Sequence, residues 1–228
     1  MSKVIVYSAN LNGYDDIVTP KVYDPNIEYI LFTDDVNAKS DFWKIKPVDF
    51  LDQKLDGRKK ARYIKVNSHL VLPEHDISIW VDSCFEPRFN NVERMLEDIN
   101  FGNSNVMIYK HPQRNCLYDE ANTVLQYNRD TSQTVSIQMK RYHSVGFPKN
   151  YGLFETGLMI RRNTNRMKLF NESWWTEIYK NSGRDQLSQM FVSWMSDIEI
   201  KPITVGENMD NNEFIHPRRS HKKLFLTK

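Results

Sequence analysis

The chain has 228 residues, of which 26% are charged and 40% are hydrophobic. This balance excludes a disordered chain, and the length fits one sizeable domain better than two catalytic ones. With 31 Lys and Arg against 29 Asp and Glu, the net charge is +2, which excludes a molecule-wide positive field for binding nucleic acid.

The cysteines and the first residues bear on the cellular compartment. Cys84 and Cys116 have neither a zinc-binding nor a CxxC spacing, so a reducing compartment is the default. The sequence runs from Met1 directly into a strand pattern, and no apolar run approaches the ~20 residues of a membrane span. We therefore expect a cytoplasmic protein without a cleavable signal or a transmembrane segment.

Strand and helix patterns alternate along the chain. Short runs of β-branched and aromatic residues predict strands over 4–7, 29–32, 43–45, 77–81, 106–109 and 158–160. Apolar spacings of three and four predict helices over 57–72, 92–99, 167–178 and 187–194, with a longer polar helical region around Leu125, Val135 and Met139. Such alternation indicates an α/β protein with a mixed, mostly parallel central sheet flanked by helices.

The strand over 77–81 ends in a carboxylate, Asp82, which Ser83 and Cys84 follow. Open α/β sheets bind their ligands at the carboxyl ends of the strands. An acid at this position either holds a divalent cation through hard oxygen ligation or caps the next loop. We favour the metal, because neighbouring segments also carry residues suited to phosphate and sugar chemistry.

The predicted helix over 57–72 carries a basic stripe. Its members, spaced by four, three and four residues so that they share one face, are Arg58, Arg62, Lys65 and His69. The helix begins near the carboxyl ends of the strands, so Arg58 and Arg62 should lie closer to Asp82 than His69 does. A solvated basic face is the alternative.

Two further segments offer polar groups to a sugar or an acceptor. The loop after the strand over 106–109 carries His111 and Arg114, which would bind hydroxyl groups or instead hold Asp119 and Glu120 in an ion-paired loop. Trp174 belongs to an apolar stripe and is expected in the core. Trp175 is freer to stack on a sugar ring.

The first loop and the last helix also carry candidate residues. Ser8 and Asn10 lie where a base and a ribose could rest, and the absence of a GxGxxG spacing disfavours NAD. Asp185 precedes the helix over 187–194, where negative charge is favoured and where Ser182 could complete a weak capping box with it.

Several segments together resemble the glycosyltransferase-like domain of the plant TOD/MUCI type, which has relatives in large DNA viruses. They cover 29–34, 62–65 with 69 and 72–73, 78–82, 110–121, 155–157 and 184–188. The most specific part is the run His-Pro-x-Arg-x-Cys-x-Tyr-x-Glu-Ala over 111–121. The resemblance extends over nearly the whole chain.

This resemblance implies a GT-A fold, a Rossmann-like sheet that binds a nucleotide-sugar with a divalent metal. Asp82 matches the metal-binding acid, and Thr33 and Asp34 match the end of the second strand near the nucleotide. Arg62 and Lys65 match a basic helix face near the diphosphate.

The metal site departs from the pattern of many GT-A enzymes. Their Asp-x-Asp is Asp82-Ser83-Cys84 here, so the second acid is missing. A histidine from the C-terminal segment commonly completes the site in such folds, and His216 is our candidate, with His221 behind it. Imidazole prefers softer metals than Mg²⁺, which favours Mn²⁺.

Glycosyl transfer builds negative charge on the departing diphosphate and positive charge on the sugar ring. The site therefore needs cations on one side and a carboxylate on the other. We expect Asp185 and Glu155 to be the catalytic acids. Asp185 would act as a base with inversion or, beneath the ring, would support retention.

We therefore expect a metal-dependent hexosyltransferase that moves a sugar from a UDP-sugar to a glycan or another hydroxyl acceptor. Its single domain, 1–228, would comprise a nucleotide-binding half over 1–90, an acceptor-side half over 100–215 and a basic tail over 216–228. A nucleotide-sugar pyrophosphorylase or hydrolase is one alternative. The other is a non-catalytic anion-binding module that uses the tail residues Arg218, Arg219, Lys222, Lys223 and Lys228.

Overall fold

Nine strands and seven helices are present in the computed structural model, which describes residues 2–218. The strands are β1 (Val4–Asn10), β2 (Glu28–Thr33), β3 (Lys44–Pro47), β4 (Ile77–Val81), β5 (Phe85–Pro87), β6 (Val106–Lys110), β7 (Phe154–Arg162), β8 (Lys201–Pro202) and β9 (Ile215–Pro217). The helices are α1 (Gly57–Val66), α2 (Ser68–Val71), α3 (Val92–Asp98), α4 (Leu117–Gln126), α5 (Ser132–Ser144), α6 (Asn165–Lys180) and α7 (Gln186–Ser196).

Seven of the strands form the central sheet, in the order β3-β2-β1-β4-β7-β6-β8. All neighbours are parallel except β7, which runs antiparallel to both β4 and β6. The prediction of a mixed, mostly parallel central sheet flanked by helices is thus confirmed. Because β7 is reversed, its first residues lie beside the carboxyl ends of β4 and β6, and the amide of Asp82 donates to the carbonyl of Gly157 at 2.8 Å. We call this border of the sheet the ligand edge.

The core lies on both faces of the sheet. Along β4, alternate side chains enter opposite layers, as strand geometry requires. Trp80 packs with Tyr7 and with Trp174 beneath α1, α6 and α7. Ile79 packs on the other face, under α3 and the segment that leads to β9. Trp174 is fully buried, as its apolar stripe predicted.

Three local features differ from the sequence-based expectations. The helix predicted over 57–72 ends at Asn67, whose amide side chain donates to the carbonyl of Tyr63 and separates α1 from α2. The long polar helical region forms two helices, α4 and α5. Strands β5 and β9 pair with each other in a small second sheet, and at three residues each they were too short for a periodicity argument.

Within residues 2–218, no helix is long and apolar enough to span a membrane. The tail residues Arg219, His221, Lys222, Lys223 and Lys228 lie outside the described part of the chain. The three-part division of the domain and the cytoplasmic location stay predictions.

Candidate active site

Asp82 lies at the ligand edge, directly after β4. Its Oδ1 atom accepts a hydrogen bond from the indole of Trp80 at 2.7 Å and lies 3.1 Å from the ammonium of Lys65. The side chain is 26% exposed. Asp82 is thus anchored through one oxygen while part of its carboxylate faces the outside.

Lys65 is fully enclosed at the centre of the site. Its Nζ contacts three oxygen atoms: Asp82 Oδ1 at 3.1 Å, Thr156 Oγ1 at 2.9 Å and Asp185 Oδ2 at 2.7 Å. An ammonium has three donors, so these contacts use all of them. This placement departs from the expectation that Lys65 faces a diphosphate, because the side chain has no exposed surface.

Asp185 is the second acid bound to Lys65. Its other oxygen, Oδ1, lies 3.2 Å from Nε of Arg62, and its side chain is only 3% exposed. Burial raises the pKa of Asp185, but Arg62 and Lys65 more than offset that effect and hold the pKa well below its usual range. The carboxylate is therefore ionised and internally paired. It makes no capping hydrogen bond to α7, and the Ser182 hydroxyl bonds to Asp130 instead, so the predicted capping box is wrong.

A group of arginines adjoins Asp185. Arg62 keeps 18% of its side chain exposed. Arg184 directly precedes Asp185 in the chain. Burial lowers the pKa of Arg184, and the nearby Arg62, Arg129 and Arg58 lower it further, while Asp185 opposes them. Arg62 lies 3.2 Å from Asp185, and Arg58 is near enough to Arg184 to lower its pKa. His69 instead lies 3.5 Å from Glu172 on α6.

A cleft at the carboxyl ends of β1, β2 and β4 adjoins Asp82. Its lining includes Ser8, Asn10, Leu31, Trp43, Ser83 and Arg218. The amide side chain of Asn10 exchanges two hydrogen bonds with the backbone of Asp15, and this fixes the loop after β1. The guanidinium of Arg218 donates to the carbonyls of Asp16 and Ser83. Arg218, the first of the basic tail residues named above, thus forms one wall of the cleft.

Thr33 and Asp34 have visible structural partners at the end of β2. The hydroxyl of Thr33 accepts the amide of Asp35, and the carboxylate of Asp34 accepts the amide of Asn12 at 2.9 Å. Asn12 has a left-handed backbone, with φ of 57°, and Asp34 therefore stabilises a strained turn. Their contact with a nucleotide stays a prediction.

Glu155 lies near the start of β7. Burial raises its pKa from an ordinary value of 4.5 to about 7, and Asp210 adds to this rise, whereas a backbone hydrogen bond from Met209 opposes it. Glu155 and Thr156 are neighbours on a strand, so their side chains point to opposite faces. The side chain of Glu155 accordingly faces the loop over 206–213. The side chain of Thr156 faces the other way, towards Asp185 and α1.

His111 and Arg114 hold each other and Glu120. The guanidinium of Arg114 lies 2.7 Å from the buried carboxylate of Glu120 and 2.8 Å from Nε2 of His111. Burial, with Arg114 beside it, lowers the pKa of His111 to about 4, so the ring is neutral near pH 7. These contacts match the structural alternative, and a role in binding hydroxyl groups stays a prediction.

Trp175 and His216 lie apart from the ion-paired centre. Trp175 contacts Tyr63 and Tyr179 edge-on or tilted between α1 and α6. His216 is exposed on β9, opposite Glu86 of β5. Sugar stacking by Trp175 and metal binding by His216 stay predictions.

Whether this site can bind a metal ion depends on Asp82. Among residues 2–218, no group of three or more His, Cys, Asp or Glu side chains is arranged to hold a metal ion. Mg²⁺ and similar hard cations nevertheless bind through one or two carboxylates completed by substrate phosphates and water. Asp82, a partly exposed carboxylate beside a cleft, fits that kind of site. The preference for Mn²⁺ depended on His216 as a ligand and stays a prediction.

Two residues at the centre were missed by the sequence analysis. Thr156 accepts from Lys65 and donates to Asp185 Oδ2 at 2.8 Å, and Trp80 anchors Asp82. Trp80 precedes Asp82 by two positions, so the period of a strand would have placed both on one face. Thr156 gave no comparable signal, because its partners come from two distant helical segments.

The fold and the ion-paired centre at the ligand edge define an α/β protein with a candidate site for an anionic ligand. The TOD1/MUCI70, glycosyltransferase-like domain family matches residues 1–216. The chain therefore belongs to this family, and the predicted recognition is confirmed. Membership supports a glycosyltransferase as the class of enzyme.

Mouse xyloside xylosyltransferase 1, in its apo crystal structure, is a structural neighbour. It is 12% identical to this chain, with a TM-score of 0.48, over 87% of this chain and 84% of the mouse chain. No curated protein matches the sequence.

Proposed function

We propose that this protein is a metal-dependent glycosyltransferase that moves a hexose-type sugar from a UDP-sugar to a hydroxyl group of a glycan or another acceptor. The observation that carries the proposal is the position of Asp82. Its carboxylate is partly exposed, lies beside the cleft at the ligand edge and is held there by Trp80 and Lys65. Family membership supports the same class of reaction.

Different residues would bind the nucleoside, the cation and the diphosphate of the donor. The cleft that Ser8 and Asn10 line is only water-sized, at about 20 Å³, so a nucleoside would lie over its mouth, and Asp82 would hold the cation. When bound, that cation neutralises the charge that develops on the leaving diphosphate. Arg62, whose side chain is partly exposed, supplies a further positive charge on the α1 side.

The two candidate acids differ in their capacity to accept a proton. A general base needs an accessible oxygen atom and a pKa near the working pH. Asp185 is almost fully buried and paired with two cations, so we assign it to positioning Lys65 and Arg62. Glu155 is only partly buried and has its pKa raised to about 7, so it is our candidate for proton transfer.

Ligand-dependent thermal stability tests the donor site. A ligand that binds only the folded state at 100 times its Kd stabilises by about 2.7 kcal/mol, which raises Tm by about 5–10 °C for a chain of this size. We expect UDP with Mn²⁺ to produce such a rise in the wild type and Asp82→Asn to abolish it. Glu199→Gln, which changes an exposed acid ahead of β8, at the edge of the sheet farthest from the cleft, is the matched control.

The outcomes separate the parts of the proposal. No rise in the wild type would contradict the donor site, and an equal rise in Asp82→Asn would contradict the role of Asp82. Replacing Mn²⁺ by Mg²⁺ tests the metal preference. Metal-dependent hydrolysis of individual nucleotide-sugars would then identify the donor, because water replaces the acceptor in that reaction.

A further inference from the structure

Arg161 is a buried cation outside the centre described above. It lies within β7, between Ser78 of β4 and Val106 of β6, and only 1% of its surface is exposed. Burying an arginine costs several kcal/mol unless partners compensate it. Among residues 2–218, Arg161 has no carboxylate within ion-pair distance, so its position needs another explanation.

Two of the partners of Arg161 are backbone carbonyl groups at the C-terminal end of α1. Its guanidinium donates to the carbonyl of Val66 at 2.9 Å and to that of Lys65 at 2.5 Å, and it also bonds to the Tyr7 hydroxyl and the Asn171 side chain. Tyr7 in turn donates to the Lys65 carbonyl at 2.6 Å. The last carbonyl groups of a helix lack intrahelical partners and carry partial negative charge. They therefore offset the buried guanidinium.

This contact fixes the backbone of the residue that joins the two acids. The Lys65 carbonyl accepts from Arg161 and Tyr7, while its ammonium spans Asp82, Thr156 and Asp185. All three ammonium contacts are 3.1 Å or shorter. A small movement of the Lys65 backbone would consequently break at least one of them and release Asp82 from its orientation.

We infer that Arg161 is a positioning residue of the active site: through the C-terminal end of α1 it sets the place of Lys65 and thereby the orientation of Asp82. The effect of Arg161 on catalysis rests on the proposed function. Its effect on the orientation of Asp82 can be tested separately, because the indole of Trp80 reports on Asp82 without any ligand.

The Trp80 indole provides the readout. Its N–H donates to Asp82 Oδ1, and the Lys65 ammonium lies 5.6 Å from its ring centroid. The chain has five tryptophans, so an ¹⁵N-labelled sample gives five indole signals, and Trp80→Phe assigns the relevant one. The proton shift of this signal depends on the hydrogen bond to Asp82.

Two variants perturb Arg161, and one matched control leaves it intact. Arg161→Met removes all donors at similar length, and Tyr7→Phe removes only the bridging hydroxyl. Arg162→Met is the control, because Arg162 is the next residue of β7 but donates to the carbonyls of Gly102 and Ser104 and lies over the Phe101 ring. All are checked for cooperative unfolding.

We expect Arg161→Met and, to a smaller extent, Tyr7→Phe to move the Trp80 signal and to weaken binding of UDP with Mn²⁺ by about 10–100-fold. Arg161→Lys, which retains the charge, should restore part of both. Arg162→Met should leave the Trp80 signal in place. If Arg161→Met fails to fold, Tyr7→Phe, which loses the hydroxyl but keeps the aromatic ring beside Trp80, is compared with Arg162→Met in its place.

An unmoved Trp80 signal in the folded Arg161 and Tyr7 variants would overturn the inference. So would an equal shift in Arg162→Met, because the effect would then be a general loss of packing. If the wild type does not bind UDP with Mn²⁺, the proposed donor site fails, while the Trp80 signal still decides whether Arg161 positions Asp82.

Discussion

At the residue scale, the decisive feature is one ammonium shared by two carboxylates. Lys65 bonds to Asp82 and Asp185, but only Asp82 reaches the outside, with 26% of its side chain exposed against 3% for Asp185. The two acids consequently have different tasks. The inner one balances Lys65 and Arg62, and the outer one is available to a ligand.

Removing the inner charge should be costly. In Asp185→Asn, Arg62 loses its ion pair, and Lys65 keeps Asp82 as its one carboxylate partner, beside the Thr156 hydroxyl. Breaking a buried ion pair by removing one partner costs about 3–5 kcal/mol, and we expect a loss of that size in urea unfolding. Asp49→Asn, at an exposed position, should change stability by less than about 0.5 kcal/mol. A loss below about 1 kcal/mol in Asp185→Asn would contradict the inward role of Asp185.

The sequence showed part of this centre. Asp82 was predictable, because a carboxylate that ends an apolar strand is a local signal. The basic stripe was also visible, yet periodicity cannot tell a solvated face from one that meets a distant acid. Lys65 was therefore placed near phosphate, whereas Asp185 and Thr156 enclose it.

At the element scale, the loop over 206–213 is packed closely onto β7. A Cβ atom at Gly157 would lie 2.5 Å from the Cε of Met209. Gly206, at the base of the loop, has φ of +79°, and a Cβ there would lie 2.7 Å from Cβ and 2.9 Å from Cα of Asn212. The neighbour at Gly157 is the flexible end of Met209, whereas the neighbour at Gly206 includes backbone, so the loop depends on glycine chiefly at position 206.

Gly206→Ala should loosen this loop. Gly146 has a similar φ of +84°, but a Cβ there meets nothing within 4 Å. Gly146→Ala should therefore cost only the left-handed backbone penalty of about 1–2 kcal/mol, while Gly206→Ala adds a clash with the backbone of Asn212. Hydrogen exchange over 207–213 should accelerate in Gly206→Ala alone. Equal protection in both variants would contradict a tightly packed loop.

Element identity was largely predictable, and element boundaries less so. The long strands and amphipathic helices follow from period-two and period-3.6 patterns. The break at Asn67 was not predictable, since it depends on the Asn67 side chain turning back to the carbonyl of Tyr63. Strand β9 forms because β5 is present to pair with it, and its own three residues carry no periodic signal.

At the scale of the whole molecule, the shifted groups set how stability depends on pH. The folded pKa of Glu155 is raised to about 7, so its contribution is fully present below pH 4.5 and is lost as the pH rises through 7. The pKa of Asp185 is lowered, so its contribution is present above its ordinary value and is lost as the pH falls. Together they favour stability in mildly acidic solution.

Glu155→Gln tests the upper limb of this profile. The amide does not titrate, so the Tm of the wild type relative to Glu155→Gln should be higher at pH 5 than at pH 8. Glu199→Gln replaces an exposed acid and should show the same difference at both values. A difference that does not change with pH in Glu155→Gln would show that Glu155 has an ordinary pKa.

The centre around Lys65 joins residues that are far apart in the sequence, and this has a consequence for biosynthesis. Lys65 and Thr156 are 91 positions apart, and Asp185 emerges from the ribosome later still. Contacts of such large sequence separation form slowly, after most of the chain has been made. A nascent chain that ends before Asp185 would hold the Lys65 ammonium without its inner counterion, so this centre can assemble only after Asp185 has been made.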